Sequence, residues 1–207
     1  MPNSTTIIKS YTKGSHMNIF HLDTDTQKSA QYHCDKHIVK MITEYCQLLS
    51  TAHRVLDGTL YYDPANKRKI KRWRLDDPYM EQHLFKASFV NHPCAVWVRE
   101  SVMNYNYLLD LFVHCLTEYT YRYNKDHASG MFFDLLEDAP QRTPSFKFTT
   151  PPQAMPDDCK QEPENYVQAY RTYYIKHKNH FAKWKNREEP IWYKENLLEK
   201  QGAYPYT

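Results

Sequence analysis

Residues 33–58 read HCDKHIVKMITEYCQLLSTAHRVLDG. Ile38, Met41, Ile42, Tyr45, Leu48, Leu49, Ala52 and Leu56 recur at helical spacing and share one side of a helical wheel. The pattern predicts a long amphipathic helix, with Asp35 as N-cap, Lys36 as first helical residue and Gly58 as the stop. His37, Lys40, Glu44, Gln47 and Thr51 fall on the opposite side as one stripe, at i, i+3, i+7, i+10 and i+14. A solvated helix face is mostly lysine and glutamate. This one sets a histidine and a single carboxylate among cations, so it reads either as a wet face or as the wall of a site.

The rest of the chain is consistent with a helical protein built around that element. At 207 residues it suits one domain with a substantial core. Only 4 glycines are present, which disfavours glycine-rich phosphate loops and tight hairpins. The expected class is mainly α: a single compact helical domain with long irregular loops. A net charge of +3 permits a polyanionic partner without demanding one. No run approaches the roughly 18 apolar residues of a membrane span, and no signal peptide is evident. Five scattered cysteines, none in a CxxC pair, read as reduced thiols of a cytoplasmic protein.

In chain order, residues 1–16 end in a Gly14-Ser15-His16 run before Met17 that has the look of a cloning scar. They are expected to be a non-native leader, with residues 17–207 forming the domain. Residues 27–33 predict a short helix. Residues 58–79 read as a basic loop, in which Lys67, Arg68, Lys69, Lys71, Arg72 and Arg74 put six cations within eight positions around Trp73. That cluster is either a solvated surface or a set of phosphate contacts with a stacking aromatic. Residues 80–90 fit a short helix or a strand. Asn91-His92-Pro93 opens a helix expected to run unbroken to about Tyr123, with Glu118 and Arg122 as a surface ion pair. Residues 131–136 form a short apolar helix. The proline-rich stretch 138–163 is expected to be a packed crossing loop. A last, tyrosine-rich helix is placed at 164–184, its tyrosines read as core.

These residues admit three chemistries. His33 and His37 have metal-ligand spacing, and with Glu44 and one of His53, His92 or His127 they could draft a site. The doubled Glu-x-x-His pattern of di-iron bundles is absent, and no metal or cofactor is expected. Cys34 and Cys94 each adjoin a histidine, but sequence neighbours point apart and rarely form a dyad. The third is a lone carboxylate among cations facing a polyanion. Such a group can stabilise a cation developing at a sugar C1′ and shuttle a proton during base excision. Glu44, with Lys40 one turn before it, has that setting.

The run from Asp35 to Glu44, DKHIVKMITE, resembles the first helix of pyrimidine-dimer DNA glycosylases of the phage endonuclease V type and their bacterial relatives. There an aspartate precedes the catalytic glutamate by nine positions, as Asp35 precedes Glu44. His37 matches a histidine two after that aspartate. Lys36 and Lys40 match basic positions of the bacterial relatives. Asn91-His92-Pro93 with Trp97 and Arg99, and the run from Pro190 to Lys194, resemble two further pieces. Thr43 and Gln47 depart from the pattern, standing where the phage enzyme is basic.

The resemblance implies a compact helical fold and a flipped nucleotide held in an enclosed site. It also implies attack on C1′ by an N-terminal amine, a Schiff base and β-elimination. The family's amine belongs to a small residue behind the initiator methionine, and here Asn18 follows Met17. Glu44, His37 and Asn18 are therefore the expected catalytic residues. Lys36, Lys40, Arg68, Arg72, His92 and Arg99 are expected to meet DNA, and Trp192 and Tyr193 to stack. The function expected is excision of a damaged or modified pyrimidine from double-stranded DNA, in a phage-encoded protein acting in the host cytoplasm. Two alternatives remain: a diverged enzyme acting on a nucleotide or another small ligand, metal-dependent or not, and a non-catalytic viral partner-binding protein.

Overall fold

The computed structural model describes residues 17–64 and 69–200; the expected leader, Lys67 and Arg68 lie outside the described residues. The described part is mainly helical. The long helix is present as α2 (Asp35–Asp57), with its apolar side buried from Ile38 to Ala52 and Leu56 half-buried at the end. It packs against α4 (Pro93–Glu100) and α5 (Val102–Tyr123), and α1 (Thr26–Tyr32) lies against α5. Met17, Ile19, Phe20 and Leu22 enter the same core from the N-terminal segment. No described helix is long and apolar enough to cross a membrane.

Several local expectations are corrected. Asp35 is the first residue of α2 rather than its cap, which is Cys34. The Asp35 carboxylate serves distant partners instead: the Lys185 amide at 2.9 Å and the Arg122 guanidinium at 3.0 Å. Arg122 and Glu118 are not a surface pair. They are 1 % and 3 % exposed, joined at 2.7 Å. Arg122 further donates to the carbonyls of His33 and Gln31, and Arg187 closes on Glu118 at 2.9 Å. This knot offsets the cost of burying charge by satisfying each group several times over.

The helix expected from Pro93 breaks at Ser101, whose backbone is extended (φ −154°, ψ 157°). The Ser101 hydroxyl caps α5 by accepting from the Asn104 amide at 3.1 Å, and the Val102 amide donates to the Ser145 carbonyl. A serine that can cap offers the backbone an alternative to continued helix, and the proline-rich loop takes the freed donor.

Residues 58–79 are not all loop. β1 (Thr59–Tyr62) and β2 (Lys71–Arg74) pair antiparallel, with Thr59 opposite Arg74. The hairpin is fastened to the end of α2 by Arg54, 2 % exposed, which donates to the carbonyls of Trp73, Glu81, Leu84 and Phe85 and to the Glu81 carboxylate. Gly58 lets that close approach happen: a Cβ there would lie 2.5 Å from the Arg54 carbonyl oxygen. α3 (Pro78–His83) follows, capped by Asp77. A 3₁₀ turn at Ala128–Phe132 leads into α6 (Phe133–Leu136).

The proline-rich segment crosses the molecule as expected of a packed loop. It receives the Trp97 indole at the Thr149 carbonyl, exchanges bonds with the Asn104 side chain through Thr149, and receives the Asn18 amide at Ala154. The tyrosine-rich helix is shorter than expected: α7 spans Tyr166–His177, residues 178–190 are irregular, and α8 (Ile191–Lys200) follows. All five cysteines are buried and free.

Candidate functional site

The polar stripe of α2 is not a wet face. His37 and Glu44 are 6 % and 7 % exposed, and Thr51 is buried as well, while the Lys40 side chain is 53 % exposed. Glu44 Oε1 lies 2.8 Å from Lys40 Nζ. Its other oxygen, Oε2, is buried and has no hydrogen-bond partner among the described residues. A buried carboxylate oxygen left without a donor is costly, which singles Glu44 out on this face of α2.

His37 is held on two sides. Its Nδ1 shares a hydrogen bond with the Tyr174 hydroxyl of α7. The Phe20 ring lies 4.3 Å away at 30°, with Tyr173 stacked beyond it at 6.0 Å. Burial holds the imidazole well below its usual range, helped by the neighbouring His33 ring and by the charges of Lys178 and Lys40. It is therefore neutral near pH 7. Lys178 and Lys36 stand over aromatic faces, 4.5 Å above Tyr173 and 4.9 Å above Phe181. Phe181 also meets the His37 ring edge-on at 5.6 Å. The result is a neutral histidine and a buried carboxylate, bordered by three lysines and a set of aromatic rings.

Asn18 has a different position. It is 6 % exposed, with its Nδ2 on the Ala154 carbonyl at 2.8 Å. Its Oδ1 accepts from the Ile19 amide at 2.8 Å, the Tyr170 hydroxyl at 3.0 Å and the Cys94 thiol at 3.5 Å. The side chain clamps the N-terminal segment to α4, α7 and the crossing loop. Met17 before it is 3 % exposed. The Cys94 thiol is pushed up to about 12, by burial first and with the Glu44 charge contributing, so it is no thiolate nucleophile.

The remaining expected contacts are dispersed. Arg99 donates to the carbonyls of Val90 and Ala95, at 2.7 and 3.0 Å. His92 caps α4 by accepting from the Cys94 amide. Arg72 lies on β2, fastened near Arg54; ten residues of helix from Glu44 to Arg54 make about 15 Å along the axis. Trp192 is half-buried beneath the Arg171 guanidinium at 5.4 Å and against Tyr32 and Tyr174. Tyr193 is 3 % exposed, with its ring 4.7 Å from Trp184.

The drafted metal pair is otherwise engaged: His33 meets the Ser29 carbonyl at 2.6 Å and the Tyr45 hydroxyl at 2.7 Å. Among the described residues, Asp158, Cys159 and His177 bring metal-type donor atoms within 4.8 Å of one another, with Lys176 paired to the same aspartate.

Sequence reasoning missed Tyr174, Tyr173, Lys178, Phe20 and Phe181. The one signal for them is in the tyrosine stripe: Tyr170 and Tyr174 are buried, but Tyr173, one position earlier than Tyr174, turns toward Lys178. No curated protein and no solved structure matches the chain. A family model described as pyrimidine dimer DNA glycosylase matches residues 17–131, more than half of it.

Proposed function

Because this chain belongs to the pyrimidine dimer DNA glycosylase family, we propose that it removes a damaged or modified pyrimidine from double-stranded DNA. The observation that carries the reading is the Glu44 carboxylate, buried, with one oxygen on Lys40 and the other without a partner. A flipped nucleotide brings its C1′ to that oxygen. As the glycosidic bond lengthens, positive charge builds on the sugar. A fixed carboxylate in a water-poor site stabilises that charge with no reorganisation, and it shuttles a proton afterwards.

The neighbours have supporting roles. His37, neutral and fixed by Tyr174, is available to hydrogen-bond a sugar or base oxygen through its other nitrogen. Lys36, Lys40 and Lys178 neutralise the phosphates flanking the flipped nucleotide. Phe20, Tyr173 and Phe181 supply aromatic surface beside the site, against which an extruded base is shielded. The hairpin cation Arg72 meets the duplex further out. Arg54, which anchors its strand, stands about 15 Å along α2 from Glu44, roughly four or five base pairs of rise.

The test compares ultraviolet-irradiated and undamaged duplex. Pyrimidine release is expected from the irradiated DNA alone. Glu44→Gln is expected to lower the rate about 10²–10⁴-fold, the range for a positioned acid–base group, while DNA affinity stays the same or rises. Equal rates for the variant would remove Glu44 from the chemistry. Tight binding to both duplexes with no base released from either would sink the excision reading.

A further inference from the structure

We propose that Asp158, Cys159 and His177, which lie outside the span matched by the family model, form a binding site for one zinc ion. The three residues bring a carboxylate, a thiol and an imidazole together, one of each donor type that zinc takes, within 4.8 Å of one another. His177 Nε2 is 3.4 Å from Asp158 Oδ1, and Cys159 Sγ is 3.7 Å from the same oxygen. Zinc bonds of about 2.1 Å to nitrogen and oxygen and about 2.3 Å to sulfur, at tetrahedral angles, set such pairs about 3.4 and 3.6 Å apart. The observed spacings are those of atoms that share an ion. They are poor spacings for direct contact: Nε2 stands 3.4 Å from both carboxylate oxygens, at the outer limit of a hydrogen bond.

The donor set selects the metal. A thiolate with an imidazole suits zinc and disfavours magnesium and calcium, which take oxygen. The Asp158 and His177 side chains are 53 % and 38 % exposed, so the ion enters from solvent and water completes the tetrahedron. Cys159 is fully buried. Lys176 borders the site, donating to the Asp158 carbonyl at 2.6 Å and lying 3.4 Å from Oδ2. It holds the second carboxylate oxygen and leaves Oδ1 to the ion, as the outer partners of ligating carboxylates do. Binding releases the thiol proton to solvent, and His177 ligates as the neutral ring.

The ion joins two elements. Asp158 and Cys159 lie in the 3₁₀ turn Asp157–Cys159 of the crossing loop, and His177 is the last residue of α7. The His177 ring is 5.5 Å from that of Tyr173, which stacks on Phe20 at 6.0 Å, and Phe20 lies against His37. A zinc clip therefore fixes the outer end of the row of rings that leads to the candidate site. It stands whether or not the excision reading holds.

The full chain, stripped with chelator, is titrated with zinc in competition with a chromophoric chelator, and separately with cobalt(II). About one zinc ion is expected to bind per chain. Cobalt is expected to give the near-ultraviolet charge-transfer band of a thiolate bond and the visible bands of four-coordinate metal. Cys159→Ser is expected to abolish the thiolate band. Cys159→Ser and His177→Gln are each expected to weaken zinc binding at least 10-fold, a loss that His180→Gln, at an exposed histidine nearby, does not cause. His177→Gln, at a partly exposed position, decides the matter if Cys159→Ser does not fold. The site is overturned by no zinc binding to the parent chain, by cobalt spectra without a thiolate band, or by a band that survives Cys159→Ser. Zinc bound by His177→Gln as tightly as by the parent overturns it as well.

Discussion

His21 is buried completely, with Trp97, Tyr107, Tyr166 and Tyr170 around its ring. Both of its nitrogens lack a partner among the described residues. Burial holds it down at about 3, and His33 and His53 at about 4. All three are neutral in the native protein and titrate near 6.5 once unfolded. The unfolded chain therefore binds more protons than the native one between about pH 6.5 and pH 4, and stability falls as pH falls through that window. The combined loss is on the order of several kcal/mol, at about 1.4 kcal/mol for each tenfold change in proton affinity. Thermal melts between pH 7.5 and pH 4.5 check this. His21→Phe removes two orphaned nitrogens and keeps the ring. It is expected to be at least as stable at pH 7, with a shallower decline on acidification. Glu44 and His37 were legible as a break in an otherwise ordinary helical pattern. Tyr174 was not, because it lies 137 residues from His37 and its stripe looks like any buried aromatic face.

At the level of elements, α2 could be read directly because periodicity over 23 residues leaves no other assignment. The break between α4 and α5 was hidden because the apolar pattern continues across it. What divides the two is a single hydroxyl and a carbonyl contributed by a remote loop. Ser101→Ala is expected to cost about 1 kcal/mol, the usual worth of an N-cap, in urea unfolding. The hairpin was missed for another reason. Its residues are mostly polar and half-exposed, and its hold on the protein comes from Arg54, on a different element. Gly58→Ala brings a methyl group against the Arg54 carbonyl. A loss of about 1–3 kcal/mol is expected, as for other overpacked sites, without change in the α2 site itself.

Across the whole molecule, the cations that border Glu44 and those on the hairpin are separated by α2, a rigid spacer; on the excision reading they are two stations on a duplex. Lys178→Ala and Arg72→Ala are each expected to weaken binding to any duplex sequence. Each should reduce the slope of log affinity against log salt by about 1, as loss of one phosphate contact does. Only Lys178→Ala should also lower the rate of excision. A salt titration by fluorescence anisotropy, paired with single-turnover rates, separates the two stations.

The bonds from Asp35 to Lys185 and from His37 to Tyr174 carry a further consequence, one of timing during biosynthesis. Asp35 and His37 leave the ribosome early, but the residues that hold them come more than 130 positions later. Until then α2 carries its histidine and carboxylate without the α7 tyrosines that border His37. On the excision reading, activity therefore arrives in one step, when α7 docks. A chain stalled in translation before that point would, on the same reading, leave DNA untouched.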